Sequence, residues 1–175
     1  MNTFRSLVDR VLAGVLVLLM FVAVINVLWQ VFTRWVLNDP SAWTEELARY
    51  LLIWIGLLGA AYAAGRQMHL AIDLLPNHLD GARRHALEIA IDVVILAFAI
   101  GVMIVGGYRL VSLTLLMGQQ SAALGLQLGW VYSVIPLSGA IIAFYSIESM
   151  MQRVRAARGR SADVGQTKRS SHEID

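Results

Sequence analysis

Cysteine is absent from the 175 residues, proline occurs three times and histidine four times. Without thiols there is no disulfide framework, no thiolate metal site, no iron–sulfur cluster and no CxxC redox pair. Charge is scarce as well. Asp, Glu, Lys and Arg make up 15% of the chain where an ordinary soluble domain has about 25%, and the hydrophobic class reaches 58% where about 45–50% is usual. None of the histidines (His69, His78, His85, His172) falls inside a long apolar run. A haem held between helices by axial histidines inside a bundle is therefore excluded.

What the chain does have is four apolar runs, each near the roughly 20 residues that cross about 30 Å of hydrocarbon. The reading is an all-α integral membrane protein, with spans at about 12–36, 47–64, 90–117 and 124–147. Together they form one membrane domain over residues 1–152. Residues 153–175 are a polar, Arg- and Ser-rich tail with too little apolar surface to fold alone. The first run is too long for a signal-peptide core and lacks a small-residue cleavage site, so it reads as a permanent anchor.

Orientation follows from basic residues. The N-terminus, the connection between spans two and three, and the tail hold eleven of the fourteen Lys and Arg; only Arg34, Arg49 and Arg109 lie elsewhere. The positive-inside rule then makes both termini cytoplasmic, which in a bacterium means an inner-membrane protein with its shorter connections in the periplasm. Local signals agree. Asp39-Pro40 suits a helix N-cap followed by proline at the first helical position. Glu45 and Arg49, like Glu46 and Tyr50, lie one turn apart, so the second helix is predicted to begin outside the membrane as a charged, amphipathic extension. Trp35, Trp43, Trp130 and Tyr132 fall at the level of an outer aromatic belt. Pro136 should kink the fourth span and free a carbonyl near Tyr132. Residues 65–85 are too polar to cross, and HLAIDLLP within them fits a short interfacial turn.

Few residues suggest chemistry. Asp80-Gly81-Ala82-Arg83 departs in spacing from the metal motif of membrane phosphatidyltransferases. It reads instead as a helix start capped by Asp80, with Arg84 and Glu88 paired at i,i+4. Asn26, Gln30 and Thr33 share a face of the first span, with Arg34 close by. Glu88 and Asp92 stack at the inner end of the third span, and Arg109 lies toward its outer end. These groups read as interhelical hydrogen-bonding and snorkelling residues. Small residues recur at four-residue spacing: Gly56, Ala60 and Ala64 in the second span, then Gly125 and Gly129, followed by Gly139 and Ala143, in the fourth. Such stripes let helices approach closely in lipid, whether within the chain or with a partner. With no embedded nucleophile, metal cluster or haem ligand set, the chain is not expected to be an enzyme or to carry a cofactor. It also lacks the repeated halves, broken helices and midplane polar site of a secondary transporter. It reads as a helper subunit. The rival is a small homo-oligomeric carrier or channel with a pore built from Asn26, Gln30 and Arg34.

The stretch WTEELARYLLIWIGLLGAAYAAGRQMHLAIDLLP resembles the small membrane subunit (DctQ-like) of tripartite ATP-independent periplasmic (TRAP) transporters. The matching positions are Glu45, Glu46, Arg49, Tyr50, Trp54, Gly59, Ala60, Arg66, His69 and Asp73. LGLQLGWVYSVIPLSGAIIAFYSIE is similar to the family's last span, with its Leu-Gly turn, Trp and Tyr, and internal Ile-Pro. One departure is Gln67-Met68, where the family often places a glycine before the histidine. The resemblance implies a non-catalytic scaffold subunit in a stable heterodimer with a large multi-span membrane subunit, which carries the sodium and substrate sites. It also implies transient docking of a periplasmic binding protein that delivers an organic acid; the lipid bilayer is the remaining partner, and no nucleic acid is expected. The interface candidates are Glu45, Glu46, Arg49, Tyr50, Gly56, Ala60, Arg66, His69 and Asp73. Glu45, Glu46 and Arg49 would meet the large subunit or the binding protein, or form a self-contained surface cluster. Arg66, His69 and Asp73 would fix the inner turn.

Overall fold

In the computed structural model, residues 2–38, 41–66 and 82–151 are described. The first span is α1 (Asn2–Trp35) and the second is α2 (Ala42–Gly65). The third runs continuously through α3 (Ala82–Phe98), a π-helical segment (Ala99–Gly106) and α4 (Gly107–Leu116). The fourth comprises α5 (Leu128–Tyr132) and α6 (134–151). Four helical stretches, Arg5–Trp35, Ala42–Gly65, Ile89–Leu116 and Leu128–Met151, are long and apolar enough to cross a membrane, as the composition requires. The chain is a multi-pass membrane protein.

Periodicity explains how α1 packs. Arg5, Asp9, Leu12, Leu16, Leu19, Ala23, Asn26, Gln30 and Thr33 recur at alternating spacings of four and three, and every one of them is buried or half-buried. That repeat keeps one seam against its neighbours, as in left-handed helix pairs. The remaining faces carry exposed Val, Leu, Ile and Phe suited to lipid tails. Leu12 joins Leu58, Ala61 and Val134 in a core shared by the first, second and fourth spans.

The fourth span is the hub. Some 44% of its most apolar stretch is buried, against 11% for the first and third spans. Glycines set its approach to the third span. A methyl group added at Gly107 would lie 2.9 Å from Pro136 Cδ, one at Gly129 2.5 Å from Leu115 Cγ, and one at Gly139 2.6 Å from Met103 Cβ.

One boundary differs from the sequence reading. The fourth span starts at Leu128, four residues later than expected, because 117–127 form a folded loop. Gly118 (φ +60°) and Gly125 (φ +64°) take left-handed turns in it, and Gln120 bridges to Gln127. Gly125 is thus a turn residue with no place in a helical stripe. α3 runs from Ala82, eight residues before the apolar run, in keeping with the helix start read at Asp80-Gly81-Ala82-Arg83, since polar residues extend a helix beyond the lipid at no packing cost. The π-helical segment carries no signal in hydropathy; it falls where Gly101, Gly106 and Gly107 punctuate the helix. Pro136 acts as anticipated: the helix breaks at Ser133, and α6 resumes at 134. Asp39, Pro40 and the segment 67–81, including Asp80 and HLAIDLLP, lie outside the described residues.

Candidate functional site

Polar side chains gather at the two ends of the bundle. At the end holding the loops, Glu46 lies on the first turns of α2. Its Oε1 accepts a hydrogen bond from the Tyr50 hydroxyl (2.7 Å), and its Oε2 accepts from the backbone N–H groups of Ala123 (2.8 Å) and Leu124 (3.1 Å). A single carboxylate therefore ties the loop between spans three and four to the second span. Four residues from Tyr50, Trp54 donates its indole N–H to the Val131 carbonyl (3.1 Å), just before the break at Ser133. The Val131 carbonyl that it meets adjoins Tyr132, near which the sequence placed a carbonyl freed by Pro136.

Asn26 sits between α1 and the start of α2, 5% exposed, and its Nδ2 donates to the Thr44 carbonyl (2.8 Å). Thr44 is fully buried and returns its hydroxyl to the Ser41 carbonyl (2.7 Å). Thr33, also buried, donates to the Gln30 carbonyl (3.0 Å). Asn26, Gln30 and Thr33 do share the inward face, while Arg34 points away from it and is exposed.

Arg5 organises the opposite end. Its guanidinium donates to the Gly65 carbonyl (2.6 Å), the last residue of α2, lies 3.7 Å from a Glu148 carboxylate oxygen and stands 6.0 Å from the centre of the Tyr145 ring. Tyr145 in turn donates its hydroxyl to Asp9. Gly65 is required here, since an added methyl would sit 2.6 Å from the ring. The start of the first span, the end of the second and the end of the fourth are pinned at one level, so both described ends of the chain lie on the same side of the bundle. Sequence reasoning missed Asp9, Tyr145 and Glu148. The signal was available, because Arg5 and Asp9 continue the four–three repeat of α1 beyond its apolar part.

The expected interface residues separate into groups. Glu46 and Tyr50 are engaged within the chain. Glu45 and Arg49 form an ion pair at 3.5 Å with both side chains about 70% exposed. Gly56 and Ala60 continue the same exposed face toward mid-span, and an added methyl at Gly56 would meet nothing within 4 Å. Arg66 follows the end of α2 with its guanidinium 4.9 Å from the centre of the Tyr62 ring. His69 and Asp73 lie outside the described residues. Among the described residues no group of three or more His, Cys, Asp or Glu could hold a metal ion.

Known proteins resemble this chain along most of its length. It is 29% identical over 169 residues to the sialic acid TRAP transporter small permease protein SiaQ of Vibrio cholerae, covering 94% of this chain and 93% of that protein. Over 59 residues it is 39% identical to the sialic acid TRAP transporter permease protein SiaT of Haemophilus influenzae, covering 33% of this chain and 10% of that protein. It is 27% identical over 125 residues to the isethionate TRAP transporter permease protein DctMQ of Oleidesulfovibrio alaskensis, which takes in 71% of this chain but only 20% of that longer protein. Residues 23–156 match the family described as tripartite ATP-independent periplasmic transporters, DctQ component. The chain therefore belongs to the DctQ family of TRAP transporter components, which are small permease subunits and not enzymes.

Proposed function

We propose that this chain is the fixed scaffold subunit of a TRAP transporter, paired with a large multi-span membrane subunit in sodium-driven, binding-protein-dependent uptake of an organic acid. It sits in the bacterial inner membrane with both termini cytoplasmic. The observation that carries this reading is the open face of α2. Glu45, Arg49, Leu52, Gly56 and Ala60 form one exposed line, and among the described residues nothing fills the space over Gly56 or Gly59. A small-residue surface at membrane depth suits close approach by another helix. The match to a fifth of the longer DctMQ chain supports the same view, because a unit like this one there forms part of a larger permease. Gly56, Ala60, Glu45 and Arg49 would touch the large subunit, with Arg66, His69 and Asp73 holding the turn at the cytoplasmic end.

The geometry does not favour the rival pore: the Asn26 amide N–H is given to Thr44 while its buried Oδ1 has no hydrogen-bond partner among the described residues, Thr33 is bonded to Gln30, and Arg34 faces away from both. Reconstitution tests the proposal. Vesicles holding the large subunit and this chain, supplied with the binding protein and a sodium gradient, should accumulate the organic acid, and omission of this chain should abolish uptake. Solute or ion flux through this chain alone would overturn the reading.

A further inference from the structure

Among the described residues, Arg109 is a charged side chain set within a span and met by none of the contacts above. It lies seven residues before Leu116, the end of its span, which is about 10 Å at 1.5 Å per residue. The fourth span gives the same depth independently. Gly107, two residues earlier, rests against Pro136, and Pro136 lies eight residues inside Leu128–Met151, or about 12 Å. Arg109 is nonetheless exposed, on the side of the third span turned away from the bundle, in line with exposed Val105 and Leu116.

Other arginines have an evident arrangement. Arg5 meets Glu148 and the Gly65 carbonyl, Arg49 meets Glu45, Arg66 lies over Tyr62, and Arg34 is one residue from the end of its helix. Among the described residues no carboxylate or carbonyl meets Arg109. Escape to the nearer membrane surface runs against helix geometry. Every Cα–Cβ bond tilts toward the helix N-terminus, whereas the nearer end of this helix is its C-terminus. An outward-facing cation held at this depth is costly in lipid and calls for a counter-charge at its own level.

We infer that Arg109, with Val105 and Leu116 in line with it, forms a second docking face, on the third span, for a transmembrane helix of the large subunit that carries an aspartate or glutamate at the matching depth. This rests on the pairing proposed above and adds to it a site and the chemistry of its occupant. A second copy of this chain fits poorly, because a two-fold contact centred on this face would bring Arg109 toward Arg109. A lipid phosphate belongs at the membrane surface, more than one helical turn away.

The test uses the tagged chain co-expressed with the large subunit of its own transporter, comparing wild type with R109K, R109L and R109E. A second arm carries a photoreactive residue in place of Val105 with Arg109 intact. The wild type should recover the large subunit and R109K should retain most of it, while R109L and R109E should lose it by about tenfold or more. The Val105 position should cross-link to the large subunit. Because Arg109 is exposed and no ion pair or hydrogen bond engages it among the described residues, the unfolding temperature of each purified variant should equal that of wild type; a fall would mark Arg109 as a packing residue and overturn the inference. Full recovery with R109E, or cross-links from position 105 to lipid alone, would overturn it while leaving the pairing intact. Failure of the wild type to recover the large subunit would overturn the pairing itself and this face with it.

Discussion

Gly56 and Gly59 in the second span face open space, while Gly129 and Gly139 in the fourth are each closed over by a side chain of the third. As sequence the two sets look alike: glycines set among apolar residues within helices. Their surroundings differ because the fourth span is the hub of the bundle and the second presents one line outward. A small residue within a membrane helix thus marks close approach without naming the neighbour. In the fourth span the neighbour is the chain's own third helix; in the second it is proposed to be another protein.

Substitution at the closed positions should break this contrast most strongly. Gly139→Leu forces a side chain into the space held by Met103 Cβ, with the Ala99 carbonyl oxygen only 3.2 Å from an added methyl. Overpacking of this kind costs about 1–3 kcal/mol or more, and a lowered unfolding temperature in detergent would register it. Gly65→Ala comes next. Its methyl displaces the Tyr145 ring and with it the hydrogen bond to Asp9, so a loss of about 1–3 kcal/mol is expected in the same assay. Glu46→Ala should leave the helices in place but free the loop. Hydrogen exchange at the Ala123 amide should quicken several-fold, because it loses its acceptor, and less at Leu124, whose N–H keeps the Ser121 hydroxyl (3.2 Å).

At the open positions the purified chain should be indifferent. Gly56→Leu is expected to leave its stability within about 0.5 kcal/mol of wild type while lowering recovery of the large subunit, opposite in pattern to Gly139→Leu. Smallest of all is the Glu45–Arg49 pair. A double-mutant cycle on the isolated chain should return about 0.3–0.5 kcal/mol, fading with added salt, because both groups are largely exposed.

Legibility in the sequence varied with the range of the interaction. Spans, the break caused by Pro136 and the one-turn pairs Glu45–Arg49 and Glu46–Tyr50 follow from local rules, and each was readable. The start of the fourth span was misplaced because Leu124 and Leu126 are apolar, and hydropathy does not register the left-handed backbone at Gly125 that keeps them in a loop. The attachment of Glu46 to Ala123 and Leu124 spans more than seventy residues and leaves no periodic trace.

Composition and patterning by themselves determined that this chain is a four-span helical membrane protein with most of its charges near the ends. Transfer of apolar side chains out of water and the demand for satisfied backbone groups in lipid admit no other class. Tertiary structure alone decided which small residues are filled and which lie open, which carboxylate holds a loop and which arginine is left facing outward. Those outcomes depend on which helix stands beside which, and a hydropathy pattern records how far a residue prefers lipid, never what stands opposite it.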